Sequence, residues 1–357
     1  MVNSKNMVLT VHAPLEFLYS MFAVGTNKHF YTMIREFDLE PNDTIIKNIT
    51  EMRKKLSRYM EQELEYFFDL PGLGYILYKY ILQNPGLTEV PQLLQVFNNS
   101  EATDLAFNII KSVGKNNMPK ENTEEYENLK CNTNEMLKLA KLVKFQDSKR
   151  RDRVIEALEN PEETKQRFYL LLSQFYSRCF SPIESDIINL ISANKEKYEL
   201  LLKENPQKFV EQYLNLDSIN DIEISIHLSF FKYISCHHYS IYSEGFADWF
   251  ILGIYSDLLF DEDLSAERLS NFFKAISDPN RIEILKLLSQ RPWFGQELAE
   301  KLNITPATIS YHMSFLQRTG VVTFNRADNR SYYCLNNTKL IKPFEEFINY
   351  FKEEKKK

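Results

Sequence analysis

Paired cysteines are missing from this chain. Its four, Cys131, Cys179, Cys236 and Cys334, stand far apart with no repeated spacing, which argues against a disulfide framework and for a reducing compartment. Long apolar runs are missing too. No stretch approaches the roughly 18 residues of a membrane span, and the apolar opening is soon interrupted by His12, Pro14 and Glu16, unlike a signal peptide. A cytoplasmic protein without membrane contact is expected. The familiar catalytic motifs are equally absent: there is no G-x-G-x-x-G, Walker loop, H-E-x-x-H or G-x-S-x-G. Pro71-Gly72-Leu73-Gly74 reads as a helix break. No catalytic residue and no cofactor are expected, and no internal repeat suggests a solenoid.

What is present is an uneven charge. At 357 residues the chain should form two or three units. Its net charge of −6 divides sharply: from residue 264 onward 15 Lys and Arg face 10 Asp and Glu, a net of +5, leaving −11 for the rest. An acidic body with a basic tail domain suggests two partners of different kinds. The 26 Phe and 20 Tyr promise large buried aromatic surfaces. In the body, Phe17, Tyr19, Phe22, Phe168, Tyr169 and Phe175 suit an apolar effector and a plain core equally well.

Periodicity makes the body mostly helical. A strand over 8–11 leads into a helix over 14–24. Ile45, Ile49, Met52, Leu56, Met60, Leu64 and Phe67 recur at threes and fours, predicting one long amphipathic helix over 43–68. Further helices are predicted over 75–83, 90–98, 101–113, 123–147, 151–158, 161–180, 183–202 and 206–214, with a polar sub-boundary at 114–123. Ile222, Ile224, Ile226, Leu228 and Phe230 then alternate with Glu223, Ser225, His227 and Ser229, as in a half-buried strand, with 250–255 as its partner. Cys236-His237-His238, with Glu244 and Asp248 near, is not a metal site by spacing, because three adjacent residues cannot all face one ion. Acidic 261–263 marks a seam. The fold expected is mainly α: a large helical N-terminal body with a small β-sheet over 1–262, followed by a C-terminal winged helix-turn-helix over 263–357.

After the seam the elements become short and regular. A helix over 264–276 presents Leu269, Phe272, Phe273 and Ile276. Asp278 caps the next, with Pro279 at its first position and Ile282, Ile284, Leu285, Leu287 and Leu288 on its apolar face. A third covers 296–302. Thr305 caps a fourth, with Pro306 first, reaching Arg318. There Ile309, Met313 and Leu316 form the core side. The opposite stripe of Ala307, Ser310, Tyr311, Ser314 and Arg318 holds no acid, which suits approach to phosphates and base edges. Gly320 ends the helix. Strands over 321–325 and 331–335 flank a turn at 326–330, whose two arginines would meet the sugar-phosphate backbone and whose Asn329 tolerates a left-handed backbone.

The string Ser277-Asp278-Pro279-Asn280-Arg281-Ile282-Glu283-Ile284-Leu285 resembles the opening of the ArsR/SmtB family of winged-helix repressors. So do Leu298-Ala299, Ile309-Ser310-Tyr311-His312-Met313, Gly320-Val321-Val322 and Arg330-Ser331-Tyr332-Tyr333-Cys334-Leu335. The resemblance implies a homodimer, paired through the first and last helices of the domain, with two recognition helices one DNA turn apart. More loosely, the strand-then-helix opening over 9–21 resembles an uncharacterised N-terminal domain fused to such winged helices in bacterial regulators. Metal-sensing members carry cysteines in the third helix, where this chain has Phe294-Gly295-Gln296-Glu297-Leu298-Ala299. Others place His and Asp in the last helix, where 338–351 has neither. Metal sensing at those sites is therefore not implied.

The expected function is a DNA-binding transcription regulator, a repressor by resemblance, acting on duplex operator DNA through recognition helix 305–318 and wing 325–331. Thr305 serves as cap and phosphate contact, followed by Pro306 and Ala307. Thr308, Ser310 and Tyr311 are the candidates for base edges, because hydroxyls donate or accept. Ser314 shares that face, while Arg318 and Gln296 suit phosphates. Arg326, Asn329 and Arg330 form the wing contact. His312 matches the family's histidine and suits a packed or phosphate-facing role, and Arg281 suits a structural ion pair. The body would sense an unidentified small-molecule effector. Two other readings stay open: a winged helix that binds protein, or an enzyme domain with a winged helix appended.

Overall fold

In the computed structural model, residues 7–25, 30–31, 34, 41–84, 86–114, 117–145, 147–214, 216, 224–239, 248–259, 265–327 and 330–353 are described. Contacts divide the chain into two compact units, neither continuous in sequence. One comprises Met1–Val11, Tyr31–Pro41 and Asn189–Lys357, the other His12–Phe30 and Asn42–Ile188. The second is thus an insertion within the first. The fold is mainly α, and among the described residues no helix is long and apolar enough to cross a membrane.

The inserted unit is helical. The predicted helix over 43–68 is two, Asp43–Lys54 and Arg58–Asp69, because Ser57 accepts the Met60 N–H at 3.2 Å and starts a new helix. The 123–147 stretch likewise divides into Glu124–Cys131 and Thr133–Leu142 at Asn132, which caps the second through the N–H groups of Asn134 and Glu135. The break predicted near Pro182 is absent. Pro161–Phe175 continues through a π-helical turn, Tyr176–Phe180, into Ser181–Glu204. The Ser181 N–H reaches the Tyr176 carbonyl there, and the wider turn accommodates a proline that would crowd an α-helical carbonyl four residues back. Phe17 packs with Phe175, Tyr176 and Phe180 at ring separations of 5.7–6.1 Å.

The other unit holds a four-stranded sheet in the order β1-β2-β4-β3: β1 Met7–Thr10, β2 Ile224–Ser229, β3 Cys236–Tyr239 and β4 Asp248–Gly253. β1, β2 and β4 are parallel and β3 is antiparallel. His227 and Ser229, expected on a solvent face, are fully buried, as in a parallel sheet covered on both sides. Gly253 admits no side chain, since a Cβ would stand 2.1 Å from the Tyr233 carbonyl oxygen.

The same unit contains the helices Ser265–Ile276, Pro279–Leu288, Gly295–Leu302, Pro306–Arg318 and Asn337–Glu353, with a hairpin of β5 Val322–Ala327 and β6 Arg330–Leu335. This is the order of a winged helix. Phe272, Ile284, Leu288, Leu298, Ile309, Met313, Leu316 and Val322 form its core. Ile282, expected on the apolar face, is instead 51% exposed, and Arg281 is buried beside it.

Candidate nucleic-acid interface

The site rests on how the Pro306–Arg318 helix is seated. The Asp278 carboxylate accepts the Arg281 backbone N–H at 3.1 Å, starting Pro279–Leu288 with its proline in the first turn. The Arg281 side chain is buried. It donates to the carbonyls of Ala275 (3.0 Å) and Lys274 (3.4 Å) in the last turn of the preceding helix, and lies 4.0 Å from the centre of the Phe315 ring. One guanidinium therefore ties together three helices. Where an ion pair is expected of Arg281, these contacts are to two carbonyls and a ring. His312 also turns inward: its ring is buried and Nδ1 lies 3.7 Å from the Asp278 carboxylate.

With Ile309, His312, Met313, Phe315 and Leu316 buried, a different side of this helix remains outside. Thr305 caps it, accepting the Thr308 N–H at 3.0 Å and sharing a 2.7 Å hydroxyl contact with Thr308. Pro306 and Ala307 build its first turn. Ser310 is exposed, and its hydroxyl is unengaged among the described residues. Tyr311 is half-buried, edge-on to Phe315 at 5.1 Å. Ser314 donates back to the Tyr311 carbonyl at 2.7 Å, leaving lone pairs to accept with. Arg318 lies 5.7 Å from the Phe315 ring with its terminal nitrogens buried. Gln296, near the start of Gly295–Leu302, is half-buried. No carboxylate belongs to Pro306–Arg318. Gly320 follows with φ of 70°, the left-handed backbone that ends a helix cleanly.

In the wing, Arg326 pairs in register with Ser331 and Ala327 with Arg330. Both arginines therefore belong to strands, where the sequence places them in a turn over 326–330. Asn329 lies outside the described residues. One isolated bridge adds to the hairpin and has no sequence signal. Trp293 pairs with Tyr333 through mutual backbone bonds of 3.1 and 2.7 Å, and its indole N–H donates to the Leu287 carbonyl at 2.9 Å. The Arg291 guanidinium stacks 3.7 Å from its ring. Burial against this strand pushes the Tyr333 phenol up to about 12. Phe315 was missed as well, although it is the floor on which Arg281 rests. Among the described residues no three His, Cys, Asp or Glu side chains gather as a metal site would require.

The family model for the bacterial regulatory protein, arsR family, matches residues 278–323. The transcriptional repressor SdpR of Bacillus subtilis (strain 168) is 37% identical over 82 residues, which are 91% of SdpR and 23% of this chain. The chain belongs to the ArsR family. The arsenical resistance operon repressor of Staphylococcus xylosus is 33% identical over 90 residues, 79% of its length and 25% of this chain. The cadmium resistance transcriptional regulatory protein CadC of Listeria innocua is 33% identical over 87 residues, 72% of its length and 24% of this chain. No solved structure matches the chain. As an ArsR-family protein with a winged helix, it is a DNA-binding transcription regulator. The family likeness covers about a quarter of it.

Proposed function

We propose that this ArsR-family chain is a repressor that binds operator DNA as a homodimer, with residues 263–357 as the DNA-binding part and 1–262 as a sensor of a small-molecule effector. The observation that carries the reading is the open side of Pro306–Arg318: an exposed Ser310, a half-exposed Tyr311, and no carboxylate to repel phosphate. Two of the matched relatives named above, SdpR and the arsenical resistance operon repressor, are repressors by name. Thr305 and Gln296 would serve the backbone, Thr308, Ser310 and Tyr311 the base edges, and Arg326 and Arg330 the phosphates beside the wing.

An apolar stripe on the last helix favours the dimer. Ile341, Phe344, Phe347, Ile348 and Phe351 are each 39–52% exposed, and Phe344 and Phe347 meet Phe273 at 5.5 and 4.9 Å. Two such surfaces brought together by a twofold axis cover each other. An effector held by the body would alter the spacing of the two recognition helices and so the affinity.

The test is a mobility shift with DNA from upstream of the protein's own coding sequence, across a salt series. Binding should weaken steeply as salt rises. Tyr311→Ala combined with Arg330→Ala should weaken it at least about tenfold. No shift at low salt, together with a partner protein that co-purifies in fixed ratio, would make the winged helix a protein-binding module instead.

A further inference from the structure

The helical unit carries one surface whose charge contradicts its surroundings. Between residues 138 and 153 stand seven cations, Lys138, Lys141, Lys144, Lys149, Arg150, Arg151 and Arg153, against two acids, Asp147 and Asp152. The rest of the acidic body has the opposite balance. These residues span the end of Thr133–Leu142, the connection after it and the start of Ser148–Glu159. All seven except Arg153 are exposed.

Part of this charge is used internally. Lys138 pairs with Glu135 at 2.7 Å, Lys149 with Glu65 at 2.8 Å, Arg151 with Asp152 at 2.8 Å and Arg153 with Glu65 at 3.5 Å. Lys141, Lys144 and Arg150 make no ion pair or hydrogen bond among the described residues. Local stability does not account for the arrangement either. Asp147 caps Ser148–Glu159, accepting the Lys149 N–H at 3.0 Å, but the first turn itself holds Lys149, Arg150 and Arg151 and no acid, the reverse of what a helix start favours.

We infer that this corner is a second contact for duplex DNA, taking phosphates outside the segment held by the winged helix. The inference rests on the DNA-binding reading above. Charge without an apolar surround fits phosphates best. A protein partner would want an apolar centre to its interface, and a membrane surface would want a broad apolar face. Leu142 is the large apolar side chain exposed here. Three cations bind DNA weakly by themselves, so their contribution is read as an addition to the binding of the winged helix.

The experiment uses the full-length chain and two duplexes. One is limited to the segment protected from nuclease upstream of the protein's own coding sequence, and the other extends it by about 20 base pairs on each side. Fluorescence anisotropy across a salt series gives the slope of log Kd against log salt for each. The wild type should show a steeper slope on the long duplex by about 5, near 0.9 for each of the three cations that each protomer of the proposed homodimer brings. The variant Lys141→Ser/Lys144→Ser/Arg150→Ser should lose that difference and bind the short duplex as the wild type does. Equal wild-type slopes on the two duplexes would overturn the inference, as would a triple variant that keeps the difference. Loss of triple-variant binding to phosphatidylglycerol vesicles, with equal DNA slopes, would reassign the surface to membranes. Failure of the wild type to bind even the short duplex would instead refute the DNA-binding reading, and this inference with it.

Discussion

Replacing Ile348 by Asp tests the proposed homodimer apart from the fold. Ile348 is 50% exposed in one protomer, so the winged-helix core does not depend on its outer half, and the substitution leaves a folded chain. That half amounts to about 90 Å² of apolar surface, worth about 2 kcal/mol when covered. A twofold interface uses the residue twice, which doubles the loss to about 4 kcal/mol. An aspartate forced into the contact without a partner adds a desolvation cost. The dimer dissociation constant should therefore rise by about a thousandfold or more. Sedimentation equilibrium reads it directly, and thermal melting by circular dichroism checks that the protomer stays folded. A variant that melts normally and dimerises as tightly as the wild type would remove the stripe at Ile341, Phe344, Phe347 and Phe351 from the interface.

Two further expectations concern the scaffold. Burial of Cys179, whose Sγ lies 3.6 Å from the Met52 carbonyl oxygen, pushes its thiol up to about 11. The folded state holds that proton where the unfolded chain has lost it, so the contribution is complete below about pH 9 and drains away between pH 9 and 11. Urea titrations should show wild-type stability falling there more steeply than that of Cys179→Ala, by up to about 1.4 kcal/mol per pH unit; equal slopes would refute the shift. Arg281→Ala removes two carbonyl contacts and the guanidinium over Phe315 and should cost the winged helix about 2–4 kcal/mol in denaturant titration. Arg281→Lys should recover only part of it, because an ammonium lacks the planar fork; full recovery would show that charge alone matters.

The winged helix was legible because its signals are local. Asp278-Pro279 and Thr305-Pro306 mark two helix starts in adjacent residues, and Ile309, Met313 and Leu316 give the buried side by spacing alone. Phe315 was not legible in that way. It lies beside the stripe, and what buries it is Arg281, supplied by another helix. Trp293 was hidden for a related reason, since a single bridged residue has no period. The errors in the helical unit run the opposite way. The apolar spacing of 45–67 is regular enough to hide the break at Ser57, and Pro182 suggested a stop that a π turn absorbs.

The sheet shows where local reading must fail. Met7 pairs with Ile224 across 217 positions, and nothing in either strand names the other. The alternation in β2 was real, but its interpretation assumed that polar residues mark a wet face. Strands paired in parallel are covered on both faces, so His227 and Ser229 are buried. The Ser229 hydroxyl accepts the Lys232 N–H at 3.1 Å. Polar residues at such positions are a demand on the surrounding structure, because an unpaired group there costs more than an apolar one. A sheet whose first strand precedes the helical insertion and whose other strands follow it also places β1 and β2 at opposite ends of that insertion. Pairing them closes a long loop, and a short apolar opening such as Met7–Thr10 carries no local signal of so distant a partner.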